Sequence, residues 1–275
     1  WEGKTLYELY GEAHTPWEWH EDLFRVAREE GLVCFSSPFD KTAIDFLEEL
    51  NTPAYKIASF EIQDIPLIEY AASKGKPIIM STGIATEEDI QLAVETCRKA
   101  GNEEIILLKC TSSYPAPIEL ANLKTMVDMK ERFGVEVGLS DHTLGNTVPI
   151  VATSLGAKVI EKHFILDKSI GGPDADFSLD LREFSSMVKA VREAEKALGK
   201  VTYELSEKVE KNKKFARSLF AVKGIKKGER LTKENVKSIR PGYGLHPKYL
   251  VGILGQRVNV CLSKGSPLLL NHLEN

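Results

Sequence analysis

Two histidines stand at matched positions after two neighbouring predicted strands. His142 follows one apolar run and His163 follows the next, and the carboxylates of Asp141 and Glu161 lie close to them in the chain. Because adjacent parallel strands lie about 5 Å apart, the two imidazoles can converge on one point. A single histidine near a strand end is usually structural, but a matched pair of neutral imidazoles, completed by water or oxygen ligands, suits Mn²⁺, Zn²⁺ or Mg²⁺. The pair therefore predicts a metal site, with Asp141 and Glu161 as groups that orient the ligands.

A lysine and several serines end the other predicted strands. Lys56 lies near one strand end, and hydroxyl groups follow four of them, from Ser37, Ser59, Ser81 and Ser112. A lysine supplies a point charge and the hydroxyls supply short donors, which together suit a phosphate group. Each serine alone is more often a helix cap. Their number favours an enzyme that uses a metal and acts on a phosphorylated or strongly anionic small molecule.

The elements that must position these residues alternate along the chain. Apolar runs predict six strands, at Leu32–Phe35, Ala54–Ala58, Pro77–Ser81, Glu104–Lys109, Glu136–Leu139 and Lys158–Glu161. Between them lie stretches of helical period, among them Thr42–Leu50, Thr86–Ala100, Leu120–Phe133 and Thr147–Leu155. Repeated strand–helix–strand units predict a parallel sheet with both faces covered.

The polar strand ends distinguish a barrel from an open sheet. Six strands would suit an open doubly wound sheet, but no GxGxxG motif follows any of them. Polar groups end every strand on the same side, which is typical of a (β/α)8 barrel. We therefore expect an α/β fold: a (β/α)8 TIM-type barrel over residues 1–206, lacking its first two strands in this chain.

The pattern changes after residue 206. Residues 207–214 form a charged stretch that predicts a linker, and residues 215–275 predict a small β-rich domain with frequent glycines. Its predicted strands are Ser218–Val222, Arg257–Leu262 and Pro267–Leu270. A module of this size is marginally stable alone, so we expect it to lean on the barrel or on another subunit.

The composition argues against several classes of partner. The formal net charge is −4, and a mildly acidic chain has no general attraction to nucleic acid or to an anionic membrane. Apolar runs stay short of the roughly 20 residues of a membrane helix, and the first residues lack the pattern of a signal peptide. The four cysteines are widely spaced and form no CxxC motif, which is consistent with a reducing cytoplasm. We expect a cytoplasmic enzyme.

Short motifs along the chain occur in the order seen in sialic acid synthases. They are Phe35-Ser-Ser-Pro-Phe39, Tyr55-Lys-Ile-Ala-Ser59, Met80-Ser-Thr-Gly83, Cys110-Thr-Ser-Ser-Tyr-Pro115, Gly138-Leu-Ser-Asp-His-Thr143, Glu161-Lys-His-Phe164 and Gly172-Pro-Asp174. The tail resembles that family's antifreeze-like (SAF) domain through Arg217-Ser-Leu-Phe-Ala221, Ile225-Lys-Lys-Gly-Glu229 and Arg240-Pro-Gly242. The chain thus resembles the sialic acid synthase family over essentially its whole length.

The resemblance implies a reaction and a set of roles. Phosphoenolpyruvate would condense with an open-chain acylamino aldose, and phosphate would leave by C–O cleavage. His142 and His163 would hold a divalent metal, Mn²⁺ first and Mg²⁺ or another ion as alternatives, that polarises the aldehyde oxygen. The residues that bind phosphoenolpyruvate would be Ser37, Lys56, Ser59, Ser81, Ser112 and Ser140. The catalytic acids would be Glu61, Glu161 and Asp174.

The sugar would be held by residues of two subunits. The resemblance implies that Tyr114 and Asp174 contact it, and that Arg240 from the small domain of a second copy binds an acylamino group in a domain-swapped homodimer.

Two departures from the family bear on the binding of phosphoenolpyruvate: Ser37 stands where many relatives carry Thr, which keeps the hydroxyl, and Ser112 stands where sialic acid synthases have Asn. The second departure bears on the contact of Ser112 with phosphate.

Two loops indicate a branch of the family. Asp174-Ala-Asp-Phe-Ser-Leu179 and Arg240-Pro-Gly-Tyr-Gly-Leu-His-Pro247 resemble the pseudaminic acid branch, in which the aldose is 2,4-diacetamido-2,4,6-trideoxy-L-altrose. The alternatives are synthesis of N-acetylneuraminate or legionaminate, with the same mechanism. From another class, the antifreeze-like tail alone would suit a non-catalytic carbohydrate-binding protein. Family members also begin with two strands that help to bind the substrates, which we expect upstream of Trp1, so that this chain alone would be inactive or impaired.

Overall fold

The computed structural model describes residues 5–172 and 174–274. The first four residues of the predicted barrel domain, Pro173 of the Gly172-Pro-Asp174 motif, and Asn275 lie outside the described residues. The chain forms two compact units that divide between Gly199 and Lys200. Within the described ranges, no helix combines the length and the apolar character needed to cross a membrane.

The first unit alternates helices and parallel strands. Its helices are α1 (Leu6–Ala13), α2 (Trp17–Glu29), α3 (Lys41–Glu49), α4 (Ile65–Ala72), α5 (Glu87–Lys99), α6 (Lys124–Phe133), α7 (Thr147–Ser154) and α8 (Leu181–Leu198). Its strands are β1 (Tyr55–Ile57), β2 (Ile78–Ser81), β3 (Ile105–Cys110), β4 (Glu136–Asp141) and β5 (Ile160–Lys162). The strands pair in sequence order, β1-β2-β3-β4-β5, and every pair is parallel. This order is that of a barrel wall, and the predicted α/β barrel class is confirmed.

The two faces of the sheet have different chemistry. Because side chains alternate along a strand and partners in register share a face, Ser81, Cys110, Ser140 and Glu161 project from one face. Most of the opposite face is apolar and packs against the helices. Its fully buried members include Ile57, Met80 and Leu107, and the helical residues packed in the same core include Ala93, Val94 and Met126. Burial of this face stabilises the unit by the hydrophobic effect. The polar face is left to line the interior of the curled sheet.

Side-chain caps set where the outer helices begin. Thr86 and Asp89 form a reciprocal capping box at the start of α5, and Asp180 and Glu183 form another at the start of α8. Asp40 caps α3 through the Ala43 amide at 2.8 Å. Helix α5 begins close after β2, whereas a long segment separates β5 from α8, and these segments carry the polar motifs.

The first predicted strand is wrong. Residues 32–35 form no strand; only Ser36 makes an isolated parallel bridge, to Tyr55 of β1. Leu32 and Val33 are 67% and 74% exposed, so this run lacks the burial that an apolar strand needs. The bridge keeps Ser37 beside β1, in the order that the prediction required.

The predicted helix at Leu120–Phe133 is also longer than the observed one. It divides into a 3₁₀ turn, Ile118–Leu120, and α6. Asn122 lies between them with a φ of 43°, in the left-handed region that an α-helix cannot contain.

The second unit holds a small sheet and its own core. The segment predicted as a linker is helical over α9 (Glu207–Asn212), with a 3₁₀ turn at Lys213–Phe215. An antiparallel pair follows, β6 (Ser218–Ala221) and β7 (Val236–Ile239), and then a 3₁₀ turn at Pro247–Tyr249, α10 (Leu250–Ile253) and a last 3₁₀ turn at Leu270–His272. The buried core includes Leu219, Ile225, Leu231, Val236, Val258, Leu262 and Leu268.

Two predicted strands of this unit are not strands, and one was missed. The runs Arg257–Leu262 and Pro267–Leu270 contribute only isolated bridges, such as Ile225 with Leu262 and Phe220 with Pro267. The partner of β6 is instead β7, in which one residue of four is buried. Its weak apolar pattern gave no strand signal.

Gly138 of β4 provides a test of how tightly the sheet is packed. A Cβ at this position would overlap the Val159 carbonyl oxygen and lie 2.7 Å from Leu108 Cδ2. Gly138→Ala should lower the free energy of unfolding by about 1–3 kcal/mol, because backbone cannot move aside as a flexible side chain can. Urea denaturation measures this change.

Gly11 is the matched control, since it lies in helix α1 and its Cβ would meet nothing within 4 Å. Gly11→Ala should be neutral or stabilising by up to about 1 kcal/mol. An unfolding midpoint for Gly138→Ala equal to that of the parent would contradict the close approach of β4 and β5.

Candidate functional site

A chain of polar contacts joins the first strand of the sheet to the last. Lys56 of β1 is 7% exposed, and its Nζ donates to Ser81 Oγ of β2 at 2.8 Å. The same Nζ lies 3.5 Å from Glu161 Oε2 of β5, and Ser140 Oγ of β4 donates to Glu161 Oε1 at 2.6 Å. Strands at the two ends of a flat five-stranded sheet would be far beyond such contact, since neighbours are about 4.8 Å apart. The sheet therefore curls, and these four predicted site residues meet inside the curl.

A second group of hydroxyls lies at the ends of β1 and β3. Ser59 Oγ accepts a hydrogen bond from the Gly83 amide at 3.2 Å. Ser112 Oγ is buried near the Tyr114 hydroxyl but has no hydrogen-bond partner of good geometry among the described residues. A Cβ at Gly83 would overlap Ser112 Oγ and lie 2.8 Å from Ser59 Oγ. The glycine thus leaves room for two hydroxyls, and the unsatisfied one is free to bind a ligand.

An open cavity of about 580 Å³ lies against Lys56 and Glu161. Ser37 lines it, together with Phe35 and Phe39. The cavity is large enough for a small anionic substrate. Ser37 therefore faces the same space as the lysine, as the motif order predicted.

Glu61 lies half-buried in the turn after β1. One of its carboxyl oxygens, Oε2, is buried without a partner among the described residues. Burial raises the pKa of Glu61 above its ordinary value, and the charge of Lys56 partly offsets that effect. A carboxyl group in this setting can hold a proton at a pH where an exposed glutamate would have lost it.

The two predicted ligand histidines lie side by side. The ring centroids of His142 and His163 are 5.1 Å apart. His142 Nδ1 lies 3.2 Å from the Thr111 carbonyl oxygen, to which a protonated Nδ1 would donate, leaving the lone pair of Nε2 available. Burial lowers the pKa of both imidazoles, and the pKa of His163 is lowered further by the neighbouring His142. Both rings are thus kept in the neutral form that binds a cation.

The donor set of this pair fits an open metal site. Among the described residues, no cluster of three or more His, Cys, Asp or Glu side chains forms a ready-made cage. Two neutral imidazoles would supply part of a coordination shell, and water and substrate oxygens would have to complete it. Mg²⁺ and Mn²⁺ accept mixed shells of this kind. Asp174 lies beside the pair, with Oδ2 at 3.6 Å from His163 Nδ1, which is beyond a direct hydrogen bond.

The two carboxylates expected to orient the histidines have other partners. Asp141 binds Lys162 at 2.6 Å and the Thr143 amide at 3.0 Å. Glu161 binds Ser140 and Lys56, as described above. In the described part of the chain neither carboxylate hydrogen-bonds an imidazole: strand alternation turns Asp141 to the outer face of the sheet, and Glu161 faces Lys56 and Ser140. Their predicted orienting role stays a prediction.

Two aromatic rings enclose the histidine pair. Tyr114 lies 4.4 Å from His142 between ring centroids, and Phe177 lies 4.9 Å from His163 and 5.3 Å from Tyr114. Burial is the main cause that raises the pKa of Tyr114, which keeps its hydroxyl protonated as a hydrogen-bond donor. Phe177 is 4% exposed and was missed by sequence reasoning, although it lies in one of the two branch loops. A phenyl ring has no polar group to flag it, and only its contacts reveal its place.

Arg240 belongs to the second unit. It is exposed after β7, beside Pro241. Its predicted contact with a sugar bound by another copy stays a prediction.

Comparison with known proteins identifies the class of protein that carries this site. The model of the NeuB family matches residues 1–203, and the model of the SAF domain matches residues 216–274. The chain belongs to the NeuB family and carries a C-terminal SAF domain. The resemblance to sialic acid synthases, found from the motifs, is confirmed.

Curated relatives are similar over the whole chain. The pseudaminic acid synthase of Helicobacter pylori is 52% identical over 275 residues, which are 100% of this chain and 81% of the relative. The pseudaminic acid synthase of Campylobacter jejuni subsp. jejuni serotype O:2 is 52% identical over 98% of this chain and 78% of the relative. The N,N'-diacetyllegionaminic acid synthase of Legionella pneumophila is 37% identical over 99% of this chain and 78% of the relative.

Solved structures with the same fold include two with 31% identity. The spore coat polysaccharide biosynthesis protein spsE of Bacillus subtilis has a TM-score of 0.65, and the match covers 99% of this chain and 82% of the spsE chain. The N-acetylneuraminic acid synthetase of Leptospira borgpetersenii, solved in complex with citrate, has a TM-score of 0.71 over 77% of this chain and 74% of its own.

Gly83 provides a test of the two hydroxyl groups beside it, those of Ser59 and Ser112. Gly83→Ala should weaken binding of phosphoenolpyruvate at least roughly tenfold, about 1.4 kcal/mol, because the new methyl displaces Ser59 and Ser112. Isothermal titration calorimetry measures the affinity. Adding Ser112→Ala removes the overlapping oxygen and should recover part of the loss; Ser112→Ala alone is the control. A double variant that binds no better than Gly83→Ala would refute this account of the glycine.

Proposed function

We propose that the protein condenses phosphoenolpyruvate with 2,4-diacetamido-2,4,6-trideoxy-L-altrose to give pseudaminic acid and phosphate. The observation that carries the proposal is 52–53% identity to three pseudaminic acid synthases, against 37–39% to two legionaminic acid synthases. The geometry supports the chemistry, because an anion-binding group and a pair of neutral imidazoles lie at the same ends of the strands. The residue roles below belong to the proposal.

The lysine and the hydroxyls would hold phosphoenolpyruvate. Lys56 supplies the charge, and the surrounding donors come from Ser37, Ser59, Ser81, Ser112 and Ser140. Glu161 already holds Lys56 and Ser140 in place, so the charge need not be reorganised when the anion arrives. This group would therefore bind the anion that supplies the new carbon–carbon bond.

The histidine side of the site would receive the aldehyde. His142 and His163 would hold a divalent cation, for which we propose Mn²⁺ with Mg²⁺ as the alternative. When bound, that cation would polarise the aldehyde oxygen as a Lewis acid. Tyr114 and Asp174 would contact the sugar from beside the rings.

The reaction joins the methylene carbon of phosphoenolpyruvate to the aldehyde carbon, takes up one water, and releases phosphate with its bridging oxygen.

Glu61 would accept or donate a proton near the bound anion. Its raised pKa follows from burial. A carboxyl group with such a pKa can serve as an acid in one step and as a base in another. Glu161 and Asp174 would be the further carboxylates in contact with the reactants.

The setting of the reaction is also part of the proposal. The substrates are small molecules, and no contact with nucleic acid or membrane is required. All four cysteines are free thiols, in agreement with a reducing cytoplasm.

An assay of the natural full-length protein tests the function. With Mn²⁺ and a panel of 2-acetamido and 2,4-diacetamido aldoses, release of phosphate from phosphoenolpyruvate should be fastest with the trideoxy-altrose. His142→Ala and His163→Ala should each lower the rate at least roughly a hundredfold, because the aldehyde would lose its Lewis acid. His272→Ala, in the second unit, is the control. Preference for N-acetylmannosamine would favour N-acetylneuraminate synthesis, and phosphate release with none of the sugars would favour a binding protein.

We further propose a homodimer in which Arg240 of one copy reaches the sugar bound by the other. Charge supports the pairing: residues 200–275 carry 16 Lys and Arg against six Asp and Glu, a formal +10, whereas residues 1–199 carry 20 against 34, a formal −14. Oppositely charged surfaces attract and orient each other. A guanidinium can also donate a charge-assisted hydrogen bond to an acylamino carbonyl.

Mixing experiments test the shared site. Arg240→Ala should weaken the apparent affinity for the sugar by roughly ten- to a hundredfold, because a charged hydrogen bond of about 1.5–3 kcal/mol is lost. The apparent affinity for phosphoenolpyruvate should stay unchanged. Mixing Arg240→Ala with His142→Ala protomers should restore part of the activity, because one site of the mixed dimer is intact. Normal sugar affinity in the single variant, with no recovery on mixing, would refute the shared site.

A further inference from the structure

Behind the histidine pair lies an ion pair that is fully enclosed. Lys162 Nζ is 2.6 Å from Asp141 Oδ2, and the two side chains are 0% and 1% exposed. Lys162 is the last residue of β5 and Asp141 the last residue of β4, and the two are partners in register. Removing two charges from water is costly, and an apolar pair of similar volume often gives equal stability. An ion pair in this position therefore calls for a reason other than stability.

The ion pair also binds the backbone that follows His142. The Asp141 carboxylate accepts a hydrogen bond from the Thr143 amide through Oδ1 at 3.0 Å, and Lys162 Nζ donates to the Thr143 carbonyl oxygen. The residues on both sides of His142 are thus held by the same two side chains. The strand end that carries one histidine is tied to the residue that precedes the other.

The direction of the side chains places this pair behind the site. Ser140 and Glu161 meet inside the curl, and side chains alternate along a strand. Asp141 and Lys162 therefore project from the outer face. The next residues, His142 and His163, return toward the inside, where their rings lie 5.1 Å apart. Each charged residue precedes one histidine directly, so a shift of either strand end would move an imidazole.

We propose that Asp141 and Lys162 are positioning residues that set the distance and orientation of the two imidazoles. Neither touches the cation or the substrates. The pair holds the ends of β4 and β5 in one register and fixes the backbone on both sides of His142, so the rings converge before any ligand arrives. This inference rests on the proposed role of His142 and His163 in binding a cation.

The rival explanation is that the pair serves only stability. The two can be separated because apolar replacement of a buried ion pair can preserve the fold. Asp141→Leu with Lys162→Met fills the same space without charge and releases Thr143. Under the rival explanation this double variant should keep the parent's histidine geometry whenever it keeps the fold.

The control is a second ion pair of the same unit, which is partly exposed. Lys76 Nζ lies 2.5 Å from Glu48 Oε1, just before β2 begins and thus at the opposite ends of the strands. Glu48→Gln with Lys76→Met removes this pair. The glutamine keeps a side-chain oxygen that can accept the hydrogen bond that the Tyr55 hydroxyl donates to Glu48. It changes the stability of the same sheet without touching the histidine ends.

Three measurements on the natural full-length protein decide the matter. Urea denaturation establishes that each variant is folded, and calorimetry should give unchanged affinity for phosphoenolpyruvate. The dissociation constant for Mn²⁺ alone, from the free-ion signal in electron paramagnetic resonance, should rise roughly 10- to 100-fold in Asp141→Leu/Lys162→Met. It should stay within about twofold of the parent in the control. In the metal-free protein, the ring nitrogen resonances of His142 and His163 should shift or broaden in the first variant only.

The outcomes separate this inference from the function on which it rests. Unchanged Mn²⁺ affinity together with unchanged histidine resonances would overturn the positioning role, and so would equal losses in the control. If the parent itself binds no Mn²⁺, the proposed metal role fails, and the metal-free histidine spectra alone decide whether the pair positions the rings. If the apolar pair does not fold, Asp141→Ala/Lys162→Met, which also removes the charges and releases Thr143, takes its place with the same expectations.

Discussion

The contact between Lys56 and Glu161 is the constraint on which the candidate site depends. These residues belong to β1 and β5, the two ends of the sheet, yet Nζ and Oε2 are 3.5 Å apart. Only a curled sheet allows this, and the curl places five polar strand ends around one space. Much of the outer face is apolar and buried under the helices, and the inner face carries the polar residues of the site. The ion pair is therefore a product of the fold, and in the proposed function it holds the lysine that would bind the anion.

The site has two halves with different electrostatics. Around Lys56 a positive charge, paired with Glu161, is surrounded by hydroxyls, which suits an anion. Around His142 burial lowers the pKa of the imidazoles, so a second positive charge is not present there before a ligand binds. Aromatic contacts from Tyr114 and Phe177 keep that half partly apolar. An anionic reactant can thus bind at the Lys56 half and a neutral one at the histidine half, so the two do not compete for the same part of the site.

Much of the fold could be predicted from the sequence, because parallel strands with buried outer faces are apolar runs and their polar ends stand out. Lys56, Ser81 and Glu161 were found in this way and Ser140 through the family resemblance, and the structure joins all four. Other features depend on contacts that no local pattern encodes. Phe177 has no polar group, the charge of Asp141 gives no sign that it turns outward to Lys162, and the run at Leu32–Phe35 has the apolar character of a strand without its burial. In the second unit, β7 was missed because three of its four residues are not buried.

The central claim is that one curled sheet brings an anion site and a cation site together at its strand ends. The most direct measurement is diffraction at the manganese absorption edge from crystals of the full-length protein soaked with Mn²⁺ and phosphoenolpyruvate. The account predicts one anomalous peak within coordination distance of both His142 and His163, with the phosphate of the anion on Lys56 and Ser81. A manganese peak away from the two histidines, or phosphoenolpyruvate bound away from Lys56, would contradict it.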